Sequence, residues 1–222
     1  MKKCVVFAMI IMICGVAYAD PYQTEELDDD ECTIQRVMEI PNDSGELKGC
    51  FVNNDTAFCS IWGGLSGWEA RDMWSNITIL KNKGIKKVNL YVNSGGGSAF
   101  SGMSIADTLR MAHNDGMIIN TFASGLIASA AVPIFLAGGN RTASESTTFM
   151  IHRGKIFKMF SSESLEDLDA QKRMMELTEK QYIDFVAKRT NLTSEEIEDK
   201  LDKTTWFSAE QAKEWGFVDV IK

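Results

Sequence analysis

The chain has 222 residues, a length typical of one domain or slightly more. Hydrophobic residues make up 45% and charged residues 24%, ordinary globular values that exclude a disordered or collagen-like chain. The formal net charge is -8, which disfavours a nucleic-acid binder, because such a protein needs a basic face to displace counterions from phosphates.

Residues 1–19 have the parts of a secretory signal peptide. Lys2 and Lys3 form a positive start, Val5–Val16 is an apolar run that is short for a bilayer span, and Ala17-Tyr18-Ala19 is a small-residue cleavage motif. We therefore expect a secreted or periplasmic protein with no stable membrane span after cleavage. The alternative is an uncleaved N-terminal segment that anchors the chain to a membrane.

Residues 20–31 are strongly acidic and predict a flexible, solvated arm, most simply a solubilising tail. Residues 32–222 are expected to form one domain, which contains Cys32, Cys50 and Cys59. Three cysteines allow one disulfide in an oxidising compartment, with one thiol left over. The sequence has no Cys-x-x-Cys motif and no Cys/His cluster, so we expect neither a metal site nor a cofactor.

Short apolar runs alternate with helical patterns along this domain. Predicted strands are Phe58–Trp62, Lys87–Val92, Ile118–Phe122 and Thr148–His152, and predicted helices are Trp68–Lys81, Phe100–His113, a segment that runs through Leu136, one that starts at Thr193 or Ser194, and one that starts at Ser208. The alternation predicts an α/β fold with a largely parallel sheet. Glu163–Thr190 contains no Gly or Pro and predicts one long helix, which acts more often as an extended arm or an oligomer contact than as a core helix.

Two segments at strand–helix junctions are candidates for chemistry. Asn93–Ser98 is a glycine-rich turn that matches neither nucleotide-binding motif, but its glycines let the backbone approach a ligand closely. Ser129 lies among small residues at the start of a predicted helix, where free N–H groups and the helix dipole favour developing negative charge. A lone serine at such a place is more often a helix cap, and Ser124 is the better cap or turn candidate of the two.

The chain has two histidines. His152 ends an apolar strand at the carboxyl edge of the predicted sheet, where open α/β sites form. His113 lies at the end of a helix and is interpreted as a surface residue that interacts with the helix dipole.

The order of these motifs resembles the proteolytic subunit of the Clp protease. Asn-Ser-Gly-Gly-Gly-Ser, Gly-Leu-Ile-Ala-Ser-Ala and Phe-Met-Ile-His correspond to that family's Asn-Ser-Pro-Gly-Gly-Ser, Gly-Met-Ala-Ala-Ser-Met and Val-Met-Ile-His. The similarity runs from about Phe58 to Ile221 and includes the segments that begin at Gly102 and Phe207.

The resemblance implies a Clp/crotonase-like spiral of βαβ units with a protruding handle helix at about residues 163–190. It implies Ser129 as the nucleophile, His152 as its general base, and the backbone N–H groups of Gly97 and Ala130 as the oxyanion hole. It also implies a homo-oligomeric ring that acts on peptides or unfolded proteins. An ATPase partner is not expected for an exported chain, whose acidic arm does not resemble the family's apolar axial loop.

The acidic member of the catalytic triad departs from the family pattern. An ungapped alignment puts Lys200 at the acid's position, and a one-residue slip brings Asp199 into place, which we prefer over Asp202. A Ser–His dyad without an acid, or Lys200 as the base, are the remaining alternatives.

The leading functional hypothesis is an exported serine endopeptidase with a Ser-His-(Asp) acyl-enzyme mechanism. A catalytically impaired scaffold or peptide-binding oligomer of the same fold is a second hypothesis, favoured by the position of Lys200. A third is an acyl-CoA enzyme of the crotonase fold, which would leave His152 without a role.

Overall fold

The computed structural model describes residues 46–155 and 164–222. The expected signal peptide at 1–19 and the acidic arm at 20–31 lie outside these residues. The elements in chain order are β1 (Cys50–Asn53), β2 (Thr56–Leu65), α1 (Gly67–Asn82), β3 (Lys87–Gly97), α2 (Ala99–Asn114), β4 (Ile118–Ala128), α3 (Ala131–Leu136), β5 (Asn140–Ala143), β6 (Thr148–Ile151), α4 (Leu165–Ala187), α5 (Ser194–Asp202), β7 (Thr205–Ser208), α6 (Ala209–Glu214) and β8 (Val220–Ile221).

The central sheet has the strand order β1-β2-β3-β4-β5-β8. The pairs from β2 to β8 are parallel, and β1 closes the edge as an antiparallel hairpin partner of β2. The predicted α/β fold with a largely parallel sheet is thus confirmed.

Strand β4 is longer than predicted and, besides β3, pairs with two further strands. Asn120–Ala123 pairs with β5, whereas Leu126–Ala128 pairs with β6. The predicted end of this strand at Phe122 is therefore too early, because the backbone from Ser124 to Ala128 continues as strand and α3 begins only at Ala131. The glycine run also differs from the predicted turn, since Gly96 and Gly97 still pair with β2.

The helices begin where the sequence provides capping residues. Ser66 with Glu69 caps α1, and Thr193 with Glu196 caps α5, each pair forming a reciprocal capping box that satisfies free N–H groups of the first turn. The core between helices and sheet is apolar and includes the fully buried Leu90, Leu109 and Phe149.

Helix α4 is the element that the resemblance identified as the handle. Its C-terminal part is anchored in the core by Ile183, Phe185 and Val186. Its N-terminal part exposes apolar side chains, with Leu165 83% and Leu177 59% accessible. The helix therefore extends beyond the domain body with apolar surface that the described residues do not cover.

A disulfide joins the two strands at the sheet edge. Cys50 of β1 lies directly opposite Cys59 of β2, and their sulfur atoms are bonded. The expectation of one disulfide among three cysteines is met by this pair, and Cys32 lies outside the described residues.

Candidate active site

Ser129 occupies the turn between β4 and α3. Its backbone φ is 56°, a left-handed conformation that a residue with a side chain rarely adopts and that is concentrated at functional sites. The Ser129 N–H donates to the carbonyl of Met150 at 2.8 Å, which fixes the turn against the end of β6.

His152 is brought to Ser129 by strand pairing. β4 and β6 are parallel neighbours, so the residues that follow them emerge at the same edge of the sheet. The His152 Nε2 lies 2.9 Å from the Ser129 Oγ, a hydrogen-bond distance between a candidate nucleophile and a candidate base. Two residues 23 positions apart in the sequence thus meet because two strands share a register.

The glycine run packs against the backbone on both sides of Ser129. A side-chain carbon at Gly96 would lie 2.8 Å from the Ser129 Cβ and 2.7 Å from the Ala128 carbonyl oxygen, closer than atoms pack. Gly96 also has a φ of 88°. Both facts require glycine here, because any side chain would displace the serine or the run itself.

Hydrogen bonds of Ser94 set the direction of this run. The Ser94 hydroxyl donates to the Gly63 carbonyl at 2.5 Å and accepts from the Gly96 N–H at 3.1 Å. The N–H of Gly96 is therefore already used, and the next residue, Gly97, lines the same cleft as Ala130, Ser129 and His152.

The cleft in front of Ser129 has a volume of about 580 Å³, enough for side chains of a bound peptide. Its walls are largely apolar, and they include Phe100, Met103, Pro133, Met174 and Met175. The two methionines of α4 give the cleft a flexible, polarizable wall that can adapt to different side chains.

The pKa of His152 lies below its usual value of about 6.5. Burial is the largest cause, and the positive charge of Lys155 also disfavours the protonated ring, while a backbone hydrogen bond at Arg153 acts in the opposite direction. A lowered pKa keeps His152 neutral at pH 7, the state in which its Nε2 can accept the Ser129 proton.

The three residues considered for the acid position have other partners in the structure. The Asp199 carboxylate accepts from Lys203 at 2.6 Å, one turn along α5. Lys200 lies with its Nζ 4.0 Å from the centroid of the Trp215 ring, and Asp202 accepts from Arg153. The structure therefore brings Ser129 and His152 together but does not bring Asp199 to His152, because Asp199 projects from an exposed position of α5.

Thr204, in the turn before β7, is a residue near the site that sequence reasoning missed. β6 and β7 are antiparallel and end at the pair of Ile151 and Thr205, so His152 and Thr204 are the residues that directly adjoin this last pair. Thr204 has a φ of 50° in the turn before β7. A threonine can offer a hydroxyl at this place but not the negative charge of a carboxylate.

Two further contacts of the site were also missed. The Tyr182 hydroxyl of α4 donates to the Ser129 carbonyl at 3.4 Å, and burial raises the pKa of this phenol, so it stays a donor. Arg153, next to His152, pairs with Glu179 of α4 as well as with Asp202 of α5. The helical stripe of α4 signals burial of Tyr182, but no sequence pattern shows that it reaches Ser129.

Residues 46–155 and 164–222 contain no group of three or more His, Cys, Asp or Glu side chains that could hold a metal ion. Within the same residues, none of the helices has the length and hydropathy that a membrane crossing requires.

The family model described as Clp protease matches residues 61–222, most of the chain and all of the site described above. The chain belongs to the Clp protease family. The fold, the motif order and the family match agree, so the resemblance identified from the motifs is confirmed.

Members of the Clp protease family are similar to this chain at about one-third identity. It is 34% identical over 138 residues to the ATP-dependent Clp protease proteolytic subunit 1 of Corynebacterium jeikeium, covering 61% of this chain and 70% of that protein. It is 34% identical over 136 residues to the subunit 1 of Streptomyces avermitilis, covering 60% of each.

A solved structure of the Clp family supports the fold. A point mutant of ClpP1 from Listeria monocytogenes superimposes with a TM-score of 0.66 and 22% identity, covering 74% of this chain and 90% of that one. The Clp/crotonase-like fold is thus shown, with helix α4 in place of the expected handle.

Proposed function

We propose that this Clp-family protein is an exported serine endopeptidase that hydrolyses peptide bonds in peptides or unfolded proteins through an acyl-enzyme. The observation that carries the proposal is the 2.9 Å hydrogen bond between His152 Nε2 and Ser129 Oγ at the mouth of an apolar cleft. The family match supports a protease in general, and the residue roles are our assignment.

The reaction begins with proton transfer from Ser129 Oγ to His152 Nε2 as Oγ attacks the carbonyl carbon of the scissile bond. The imidazolium then donates its proton to the leaving amine, the C–N bond breaks, and an ester of Ser129 remains. Water attacks this ester with His152 as the base again, which releases the new carboxyl terminus and restores the Ser129 hydroxyl. The lowered pKa of His152 supports its role as the base at neutral pH.

The tetrahedral intermediate carries a negative oxygen, which needs two N–H donors. We assign this role to the backbones of Gly97 and Ala130, which line the cleft beside Ser129. The N–H of Ser129 donates to Met150 and that of Gly96 donates to Ser94, so the neighbouring N–H groups are the candidates that remain at this turn.

The Cys50–Cys59 disulfide supports export. Disulfides persist in the periplasm and outside the cell, whereas the cytosol keeps most thiols reduced. The positive start and the Ala17-Tyr18-Ala19 motif add to this argument from the sequence. We accordingly propose a secreted or periplasmic location, with no ATPase partner, so that substrates must already be unfolded or short.

Exposed apolar surface supports assembly into a homo-oligomeric ring. Besides the N-terminal part of α4, the sheet edge exposes Phe51 and Trp62, each 63% accessible. Monomeric proteins rarely expose such surface over several elements, so contact with further copies is the simplest way to cover it.

A catalytically impaired scaffold is the second candidate, and one specific observation favours it. Asp199, Lys200 and Asp202 are engaged with other partners, so none of them orients the His152 ring in this structure. A Ser–His pair without a carboxylate retains the mechanism but runs more slowly, since the imidazolium that forms has no negative charge beside it. Measurable turnover separates a slow peptidase from a scaffold.

The experiment compares cleavage of unfolded casein by the protein and by Ser129→Ala. We expect the variant to lose activity by about three orders of magnitude or more while it keeps its fold and assembly. Ser124→Ala is the matched control, because Ser124 is an exposed serine of β4, the strand that precedes Ser129, and it should retain the parent rate. Equal rates for the parent and Ser129→Ala would contradict the proposal.

A further inference from the structure

A second pocket lies between α2 and α4, next to the cleft in front of Ser129. It has a volume of about 340 Å³ and shares Met103 with that cleft. The residues that line it from α2 include Asp107 and Arg110, which follow Met103 at four and seven positions and therefore lie on the same helix face. Because each helical residue advances about 1.5 Å, Arg110 lies about 10 Å along α2 from Met103.

Cationic side chains converge on this pocket around one aromatic ring. The guanidinium carbon of Arg110 lies 5.5 Å from the centroid of the Phe185 ring, and that of Arg189 lies 5.6 Å from the same centroid. Lys188 lines the pocket as well. Phe185 is buried, and both guanidinium groups lie over its ring.

The positive charge of the two arginines is incompletely balanced. The Arg110 Nε is buried and has no hydrogen-bond partner among the residues that the structure describes. The Arg189 guanidinium donates to the Leu136 carbonyl, which carries no net charge. The pKa of Arg189 is lowered by burial and then by the positive charges of Arg110 and Arg141, so the cations repel one another.

The acids of the pocket do not remove this repulsion. Asp107 reaches Arg110 only through an Nη1 contact of 3.5 Å, and more than half of its side chain is exposed. Asp184 lines the pocket but already accepts from Lys180 at 3.0 Å. Arg141, in contrast, donates to the Asp219 carboxylate through two nitrogen atoms, so its charge is balanced.

We propose that the pocket between α2 and α4 binds a compact oxyanion, a carboxylate or a phosphate, between Arg110 and Arg189. An oxyanion there would accept a hydrogen bond from the buried Arg110 Nε, since guanidinium groups readily donate to carboxylates and phosphates. Its negative charge would also lie between the two positive charges and reduce their repulsion. The anion has two possible sources, a small free ion or the carboxylate of a peptide whose chain continues from the neighbouring cleft. Only the second source rests on the proposed function.

The test is calorimetric titration of the full chain with inorganic phosphate, at an ionic strength held constant with chloride. We expect saturable binding of the parent protein, and binding weaker by about tenfold or more for Arg110→Gln and Arg189→Gln, since a charge-assisted hydrogen bond is lost in each. Arg173→Gln, the same substitution at an exposed position of α4 outside the pocket, should bind like the parent.

Lys188→Gln provides a variant that should fold normally, because Lys188 is exposed, and it should weaken binding in the same direction. A short acetylated peptide with a free C-terminal carboxylate, compared with its amide, tests the second source: preference for the acid that disappears in Arg110→Gln identifies the peptide carboxylate as the ligand. The phosphate titration does not depend on catalysis. A protein without peptidase activity can therefore still show the anion site, and the two proposals are tested independently. No saturable binding of either probe, or equal binding by Arg110→Gln and the parent, would overturn the site.

Discussion

The two sides of His152 are organised very differently. On one side, the turn at Ser129 is held by strand pairing, by a backbone hydrogen bond to Met150, and by a glycine that leaves no room for a side chain. On the other side, the segment from α5 to β7 carries acids that pair with surface cations, and Thr204 directly adjoins the last β6–β7 pair, as His152 does. The proposed nucleophile and base are therefore held at the ends of paired strands, whereas none of the acids considered for a triad is held beside His152.

This contrast indicates which parts of the site tolerate substitution. Groups placed by the backbone ladder cannot shift without loss of several hydrogen bonds, while exposed ion pairs each contribute about 1 kcal/mol or less and rearrange easily. Substitutions on the Ser129 side should thus have larger effects than those on the α5–β7 side.

The largest effect among these is expected for Gly96→Ala. The added carbon would lie 2.8 Å from the Ser129 Cβ, and the positive φ of Gly96 adds strain, so the nucleophile should move. A displacement of the reacting oxygen by about 1 Å lowers kcat on the order of a hundredfold. Casein cleavage by Gly95→Ala is the control, because a carbon added at Gly95 would meet only a Leu126 methyl group at 3.8 Å. Equal cleavage rates for the two alanine variants would contradict the claim that the glycine run positions Ser129.

An acid introduced on the other side should raise activity. Thr204 and His152 both adjoin the last β6–β7 pair, so we expect the carboxylate of Thr204→Asp to reach the ring, orient it and balance the charge of the imidazolium. We expect kcat to rise by about tenfold or more. Thr204→Asn, similar in shape but uncharged, should give no such gain. A Thr204→Asp protein with unchanged kcat and unchanged stability would show that the introduced carboxylate does not reach His152.

Smaller effects are expected when the native acids are removed. Asp202→Asn frees Arg153, the residue next to His152, and should slow turnover by about fivefold, the scale of one partly exposed ion pair. Asp199→Asn removes only a contact with Lys203 and should stay within about twofold of the parent. The cleavage rates of the two purified variants, measured against pH, show which substitution has the larger effect. Strong loss in Asp199→Asn alone would instead support its prediction as the triad acid.

The smallest expected effect is a shift in pH dependence. Lys155 disfavours protonation of His152 and so lowers its pKa, which means that Lys155→Gln should raise that pKa. Because His152 must be neutral to act as the base, the acidic limb of kcat/KM should move to higher pH in the variant. Lys172→Gln, on the exposed part of α4, is the control with the same charge change. A limb that does not move would mean that a group other than His152 controls it.

The sequence predicted most of the fold and the contact between Ser129 and His152 for reasons that can be named. Strands such as Lys87–Val92 and helices such as Trp68–Lys81 can be recognised from the periodicity of their own apolar residues. Ser129 and His152 each follow a strand, and residues that follow neighbouring parallel strands lie at the same edge of the sheet. Pairing partners cannot be seen in one strand alone, so the continuation of β4 to Ala128 and the small strands β5 and β7 were missed.

The acid side was harder because charged side chains choose partners in three dimensions. Nothing in the order of Asp199, Lys200 and Asp202 shows that Lys203, Trp215 and Arg153 will be their neighbours. The register that places Thr204 depends on β7, which was not predicted. Tyr182 reaches Ser129 only because α4 packs against α3, a long-range contact without a local sequence signal.

The most direct test of the account is covalent labelling with a fluorophosphonate, followed by mass spectrometry of the labelled peptide. The probe reacts with a serine that a neighbouring base activates, so it reports on the Ser129–His152 pair without requiring a known substrate. We predict modification at Ser129, its loss in Ser129→Ala, and slower labelling in His152→Ala. A folded protein that takes up no probe, or takes it up at another residue, would contradict the claim that Ser129 is an activated nucleophile.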